Sequence, residues 1–310
     1  MKYFFYISLL ICSNEAFSQK VISNSAKAPY LIILGTLQDG GSPHIGCENE
    51  CCKNADPNKK VVSLGVIDPV NNKRFLFEAT PDISTQLSIL NKSLNGVNGP
   101  SPDGIFLTHA HVGHYAGLMM LGREAMNSKT VPVFAMPKMK TFLENNGPWN
   151  QLVSLHNIEL KSIEKESWQN ITSSIKVKPI IVPHRDEYSE TVGYVIEGPG
   201  KKILFIPDID KWEKWNYNII ALIKEVDIAL LDGTFFSNDE VAYRKIEEIP
   251  HPLVSESLKL FENLSQKDKN KIYFIHFNHT NPLLNSNSNA SKTLAGKGFH
   301  IASMNMKIEL

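Results

Sequence analysis

Apolar positions come in short blocks along this chain, and the blocks change period from one to the next. Tyr30–Gly35 (YLIILG) is a continuous apolar run between Pro29 and Thr36, which predicts a buried strand. The runs 63–68 (SLGVID) and 74–79 (RFLFEA) predict two more, joined by the turn residues PVNNK. From Pro81 the apolar residues fall at helical spacing, giving a helix over 81–90. A strand at 104–108, a helix at 115–126, a strand at 131–136 and a helix opened by Pro137 over 137–146 follow. In the second half the same pattern predicts strands at 175–182, 192–197, 203–206, 226–231 and 271–275, with helices at 214–224 and 253–263. Strands outnumber a simple alternation, so the expected α/β architecture is two sheets face to face with helices outside, in one unit over 30–310.

The first residues differ. Lys2 precedes about ten apolar residues, Tyr3 to Cys12, and Ala16-Phe17-Ser18 offers the small residues a signal peptidase reads. Residues 1–18 are therefore expected to be a signal peptide, cleaved before Gln19, with 19–29 a flexible leader. Export to the periplasm or outside follows. Ile11 is bulky where a lipoprotein signal wants a small residue, which argues against anchoring at Cys12. No internal apolar run approaches the ~20 residues that span a bilayer. Lysine plus arginine is 32 and aspartate plus glutamate is 32. A neutral balance gives no reason to expect nucleic acid or a membrane surface as partner, so a small-molecule substrate is expected.

The chemistry begins in IFLTHAHVGHYAGL, where His109, His111 and His114 form H-x-H-x-x-H at the end of a strand. Three imidazoles at a strand-to-helix corner can face one cleft, and imidazole suits zinc and related first-row metals. His184 follows the run IIVP, Asp208 follows ILFIP, and His276 follows IYFI. Ligands at the ends of several strands gather at one sheet edge. Asp210 has a similar context but is expected to be solvated or to cap the following helix. Asp82 and Asp232 are expected to orient ligand histidines by hydrogen bonds. His251 and His44 are candidates for loops over the site, His251 as substrate contact or general acid. Arg185, Glu187, Tyr188 and Glu190 form a polar loop that could touch substrate, whereas His156, His300, Trp212 and Trp215 are expected to be structural.

Cleavage at residue 18 leaves Cys47, Cys51 and Cys52 in GCENECC. Three thiols cannot all pair within one chain. One disulfide with a free thiol is one reading; a zinc site lacking a fourth ligand is the other.

THAHVGHYAGL, VPHRDEYSETVGY, FIPDID, DGTFF and IHFNHTNPLL, in this order, resemble the metallo-β-lactamase superfamily. Together with LGTLQDGGSPHIGCENECC and EATPDISTQL they are most similar to the branch of pyrroloquinoline-quinone biosynthesis protein B (PqqB-like). The resemblance runs from Tyr30 to the C-terminus. It implies a four-layer αββα sandwich with one or two catalytic zinc ions, manganese or iron being alternatives. One ion would be held by His109, His111 and His184, a second by His114 and His276, with Asp208 bridging. A water activated by the metal would be the nucleophile, placing Asp208 and His251 in the catalytic centre. Phosphonate-breakdown phosphodiesterases, a related branch, hold a structural zinc with N-terminal cysteines and a histidine three residues beyond the last catalytic one. By that likeness Cys47, Cys51, Cys52 and His279 would form a structural zinc site.

One departure bears on the chemistry. The superfamily pattern is H-x-H-x-D-H, and here Gly113 replaces the aspartate. The second position loses a ligand and a negative charge, so the first metal is expected to bind more tightly, the second weakly or not at all. PqqB proteins depart further from the histidine pattern. The expected function is thus an exported metal-dependent hydrolase acting on a small ester, lactone or phosphodiester. The alternatives are a PqqB-like oxidative role in quinone cofactor biosynthesis and a non-catalytic metal-binding scaffold.

Overall fold

A computed structural model describes residues 28–94, 99–241 and 248–310. The expected signal peptide and all but the last two residues of the leader lie outside them. Those two, Ala28 and Pro29, already belong to the fold: Pro29 is buried, and its carbonyl accepts the Leu310 N–H at 2.8 Å.

The apolar runs form two seven-stranded sheets. The first holds β1 (Tyr30–Gly35), β2 (Ser63–Asp68), β3 (Lys73–Phe77), β4 (Gly104–Phe106), β5 (Val131–Ala135) and β6 (Ile158–Ser162). The second holds β7 (Gln169–Asn170), β8 (Lys176–Ile181), β9 (Val192–Glu197), β10 (Lys202–Ile206), β11 (Ile228–Asp232), β12 (Ile272–Ile275) and β13 (His300–Ile301). The last strand, β14 (Lys307–Glu309), returns to pair with β1. Each sheet is antiparallel at one side and parallel at the other. The parallel parts are β3-β4-β5-β6 and β10-β11-β12-β13.

Side chains alternate across a strand, so each sheet has two faces to cover. Phe77, Phe106, Tyr194, Phe205 and Ile275 fill the layer between the sheets. Outside the first sheet, Ile105, Leu107 and Val133 meet Ile83, Leu87 and Leu90 of the helix Ile83–Lys92 and Met139 and Leu143 of the helix Pro137–Asn145. Outside the second, Leu204, Leu231 and Phe274 meet Ile219 and Ile223 of the helix Ile219–Glu225 and Leu258 of Val254–Leu260. This is the αββα sandwich expected. No helix of the described residues is long and apolar enough to cross a membrane.

Some elements differ from their predicted form. The stretch expected to be a helix over 115–126 is one α-turn, Val112–Tyr115, followed by a 3₁₀ segment, Ala116–Leu121. The cause is contact with the β3 exit. Gly117 N–H donates to Ala79 O at 2.8 Å, and Ala79 N–H to His114 O at 2.9 Å. A Cβ at Gly117 would stand 2.0 Å from Thr80 O, so only glycine permits this approach. The expected helix 214–224 is divided, because Asn218 caps a new helix by accepting the N–H groups of Ile220 and Ala221. The helix Trp149–Ser154 and strand β6 had no clear signal: β6 is an edge strand with three of its five residues exposed, so it lacks a strong apolar pattern.

Candidate metal centre

Parallel strands leave their following loops at one rim. In the first sheet Phe77 aligns with Phe106, and in the second Ile206 aligns with Leu231 and Asp232 with Ile275. Strands β1 and β8 run the same way as these neighbours, so their exits reach the same rim. Six of the seven exits used here were recognised in the sequence by the polar residue following an apolar run.

His109, His111, His184 and Asp208 converge. His109 Nε2 lies 2.9 Å from His111 Nδ1, and His184 Nε2 lies 3.3 Å from the same atom. Asp208 Oδ2 is 3.4 Å from His109 Nε2, and its Oδ1 is 3.3 Å from His184 Nε2. Four ligands around a tetrahedral zinc at about 2.0–2.2 Å stand roughly 3.3–3.6 Å apart, so this set fits an ion. A second set shares Asp208: its Oδ2 is 3.8 Å from His114 Nε2 and 4.0 Å from His276 Nε2.

The buried polar atoms test that fit further. His114 Nε2, His276 Nε2 and Asp208 Oδ1 are shielded from solvent and make no hydrogen bond. Buried polar groups left unpaired cost stability, and a cation between them would satisfy them. The opposite ring atoms are held. His276 Nδ1 is 2.8 Å from Thr234 Oγ1, whose hydroxyl donates to Asp232 Oδ1 at 2.7 Å. That hydroxyl can only accept from Nδ1–H, which leaves the Nε2 lone pair free for a metal. Thr108 Oγ1 sits 2.9 Å from His109 Nδ1, and Glu78 Oε1 3.4 Å from His114 Nδ1.

Burial lowers the pKa of His109 well below its ordinary value, with the neighbouring His114 adding to the effect, and lowers that of His111 to about 4. Neutral imidazoles are the ligand form. Burial alone would raise the Asp208 carboxyl, but His184, His251 and His276 outweigh it and hold it well below the carboxylate range. His251 is buried at the same centre, with Nδ1 3.1 Å from Asp208 Oδ1 and 3.0 Å from Asp232 Oδ2. Burial disfavours its charge, yet the two carboxylates win and push its pKa up to about 10.

Asp232 therefore has the supporting place expected of it. Asp82 does not. Its carboxylate accepts the Val61 N–H at 2.9 Å, because the chain has already turned into the helix Ile83–Lys92, away from the rim. The carboxylate of that segment that does reach a ligand histidine is Glu78, the first residue past β3. It is fully buried, with a left-handed φ of 72°. Sequence reasoning missed Glu78, because it reads as the end of a strand. It also missed Asp39, the seventh strand exit. Asp39 Oδ1 lies 3.0 Å from His114 Nε2 and 3.5 Å from His276 Nε2.

Cys47, Cys51, Cys52 and His279 also come together, all three thiols free. Cys47 Sγ and Cys51 Sγ are 3.9 Å apart, close to the ~3.8 Å expected of two thiolates on one zinc. His44 is not over the histidine centre; its ring stacks on His279 at 4.4 Å. In the polar loop, Glu187 reaches His111 Nε2 at 3.6 Å, while Glu190 caps the helix Pro137–Asn145 through Lys138 and Met139. Tyr188 is exposed beside Phe142. Asp210 pairs with Lys214, and Trp212 and Trp215 pack in the outer core.

Residues 73–277 match the family model described as beta-lactamase superfamily domain. The chain is 27% identical over 306 residues to coenzyme PQQ synthesis protein B of Methylococcus capsulatus, covering 90% of this chain and 99% of that one. Among solved structures it is similar to Zn(2+)-bound PqqB from Methylobacterium extorquens, with a TM-score of 0.76, 21% identity, and 91% and 100% of the two chains covered. It is also similar to a diphosphatase from the PhnP family, with a TM-score of 0.62, 22% identity, and 92% and 98% covered.

Proposed function

The chain belongs to the beta-lactamase superfamily, and from that premise we propose that it is a metal-dependent enzyme of the PqqB-like branch, hydrolysing a small ester, lactone or phosphodiester. The observation that carries the hydrolytic reading is the pair of ligand sets sharing Asp208 at one rim. A divalent cation held there supplies Lewis-acid polarisation and a nucleophilic water at neutral pH. His109, His111 and His184 would hold one ion and His114 and His276 the other, with Asp208 between them. Thr108, Glu78 and Thr234 fix the ring tautomers. His251 keeps its proton at neutral pH, with Nδ1 against Asp232 and Asp208, so Nε2–H is the proton it can hand to a leaving group. Cys47, Cys51, Cys52 and His279 would hold a structural zinc that pins the loop after β1.

The second reading is a role in quinone cofactor biosynthesis. The relatives support it better than they support hydrolysis, since coenzyme PQQ synthesis protein B matches this chain over nearly its whole length. Export, if cleavage before Gln19 occurs, speaks against it, because that chemistry is expected in the cytoplasm. Metal analysis of protein purified from its native host, with turnover on an ester, lactone and phosphodiester panel, separates the two. Zinc or manganese with turnover supports hydrolysis. Redox-active iron, dioxygen uptake and no hydrolysis would overturn it in favour of the second reading.

A further inference from the structure

Gly113 leaves the sequence one carboxylate short at the second ligand set, and another part of the chain stands in that gap. A Cβ built on Gly113 would lie 2.5 Å from Asp39 Cα, 2.5 Å from Asp39 Oδ1 and 2.7 Å from Asp39 Cγ. Real side chains do not approach that closely. The space next to residue 113 is thus filled by the carboxylate of Asp39, 74 positions earlier in the chain. We propose that Asp39 is the carboxylate ligand of the second metal, and that Gly113 is glycine because Asp39 needs its space. The proposal rests on the metal-enzyme reading above.

Three observations support it. Asp39 Oδ1 faces the free lone pairs of the set, at 3.0 Å from His114 Nε2 and 3.5 Å from His276 Nε2. At 3.0 Å an aligned N–H would make a hydrogen bond, yet Asp39 Oδ1, His114 Nε2 and His276 Nε2 make none. These atoms therefore do not aim at one another. Atoms that converge without aligning are the arrangement of ligands around a common cation. Finally, Asp39 is held in place by backbone. Leu37 bridges both Val61 and Phe277, Gln38 N–H donates to Phe277 O at 2.8 Å, and Phe277 N–H donates to Thr36 O at 2.8 Å. The residue beside Asp39 is thereby tied to the residue beside His276, so two of the ligands share one clamp.

The relocation answers the expectation of a weak second site. The set regains its fourth ligand and its negative charge: Asp39, His114, His276 and the shared Asp208. It also makes the two positions interdependent, which a swap can test. Wild type, Asp39→Asn, Gly113→Asp and the double variant Asp39→Gly/Gly113→Asp are stripped of metal and titrated with zinc against a chromogenic chelator. Urea unfolding of each metal-free protein is measured in parallel. Asp39→Asn keeps size and shape, so it should fold as wild type does, bind the first ion unchanged, and bind the second at least tenfold more weakly. Gly113→Asp alone should lower the urea midpoint. The double variant should recover that midpoint and bind the second ion more tightly than Asp39→Asn. Two ions bound by Asp39→Asn with wild-type affinity would overturn the proposal. So would a double variant no more stable than Gly113→Asp. A wild type that takes up no second ion would instead overturn the two-metal reading itself, and this inference with it.

Discussion

Thr234 offers a sharp test of how the centre is prepared for metal. Its hydroxyl lies 2.7 Å from Asp232 Oδ1 and 2.8 Å from His276 Nδ1, and all three residues are fully buried. Thr234→Val keeps the shape and removes the hydroxyl. In the metal-free protein His276 Nδ1–H then loses its acceptor in a place water does not reach, a cost of about 1–3 kcal/mol. Asp232 Oδ1 loses less, since it still accepts the Thr234 N–H at 2.8 Å. His276 is also freed to carry its proton on Nε2, the atom a metal needs. Losing such an outer partner weakens metal binding by about 10–100-fold, or about 1.4–2.7 kcal/mol. Zinc competition titration should show that weakening for the second ion only, with the first ion unchanged. Urea unfolding of the metal-free protein should show the stability loss. Thr234→Ser should restore both. A valine variant that binds two ions as tightly as wild type, or a serine variant that rescues neither quantity, would refute the tautomer argument.

Other outcomes follow from single contacts. His251→Gln should lower kcat on any hydrolysed substrate by about 10²–10⁴-fold with metal content unchanged; a lost ion would mean that His251 is a ligand rather than a proton donor. Cys51→Ser should remove one zinc per chain while the His109 set keeps its ion, which elemental analysis reads directly; unchanged stoichiometry would dismiss the thiol site. Gly117→Ala forces a Cβ to 2.0 Å from Thr80 O and should cost about 3 kcal/mol in urea unfolding; a loss below ~1 kcal/mol would show that the β3 exit yields easily.

The parts legible in sequence were those written locally. An apolar run followed at once by a histidine or aspartate marks a strand exit, and His109, His184, Asp208 and His276 were found that way. The thiol cluster with His279 came from likeness to a known arrangement, and the side chains do meet. What escaped was written across distance. Asp39 stands in QDGG, which by itself reads as a turn, and its meaning lies in the space beside Gly113. Glu78 looks like the last residue of a strand until its φ of 72° turns it under His114. Asp82, two residues past Thr80, looked equally suited but serves Val61. The helix expected after His114 fails for the same kind of reason: Gly117 packs against the carbonyl of Thr80, a contact invisible in its own periodicity.

The account turns on a pair of ions bridged by Asp208, and anomalous diffraction from crystals grown with zinc would locate them directly. It predicts two peaks about 3.5–4 Å apart, one among His109, His111 and His184 and the other among His114, His276 and Asp39, with Asp208 touching both. A single peak at the first set, with Asp39 turned away from His114, would contradict it.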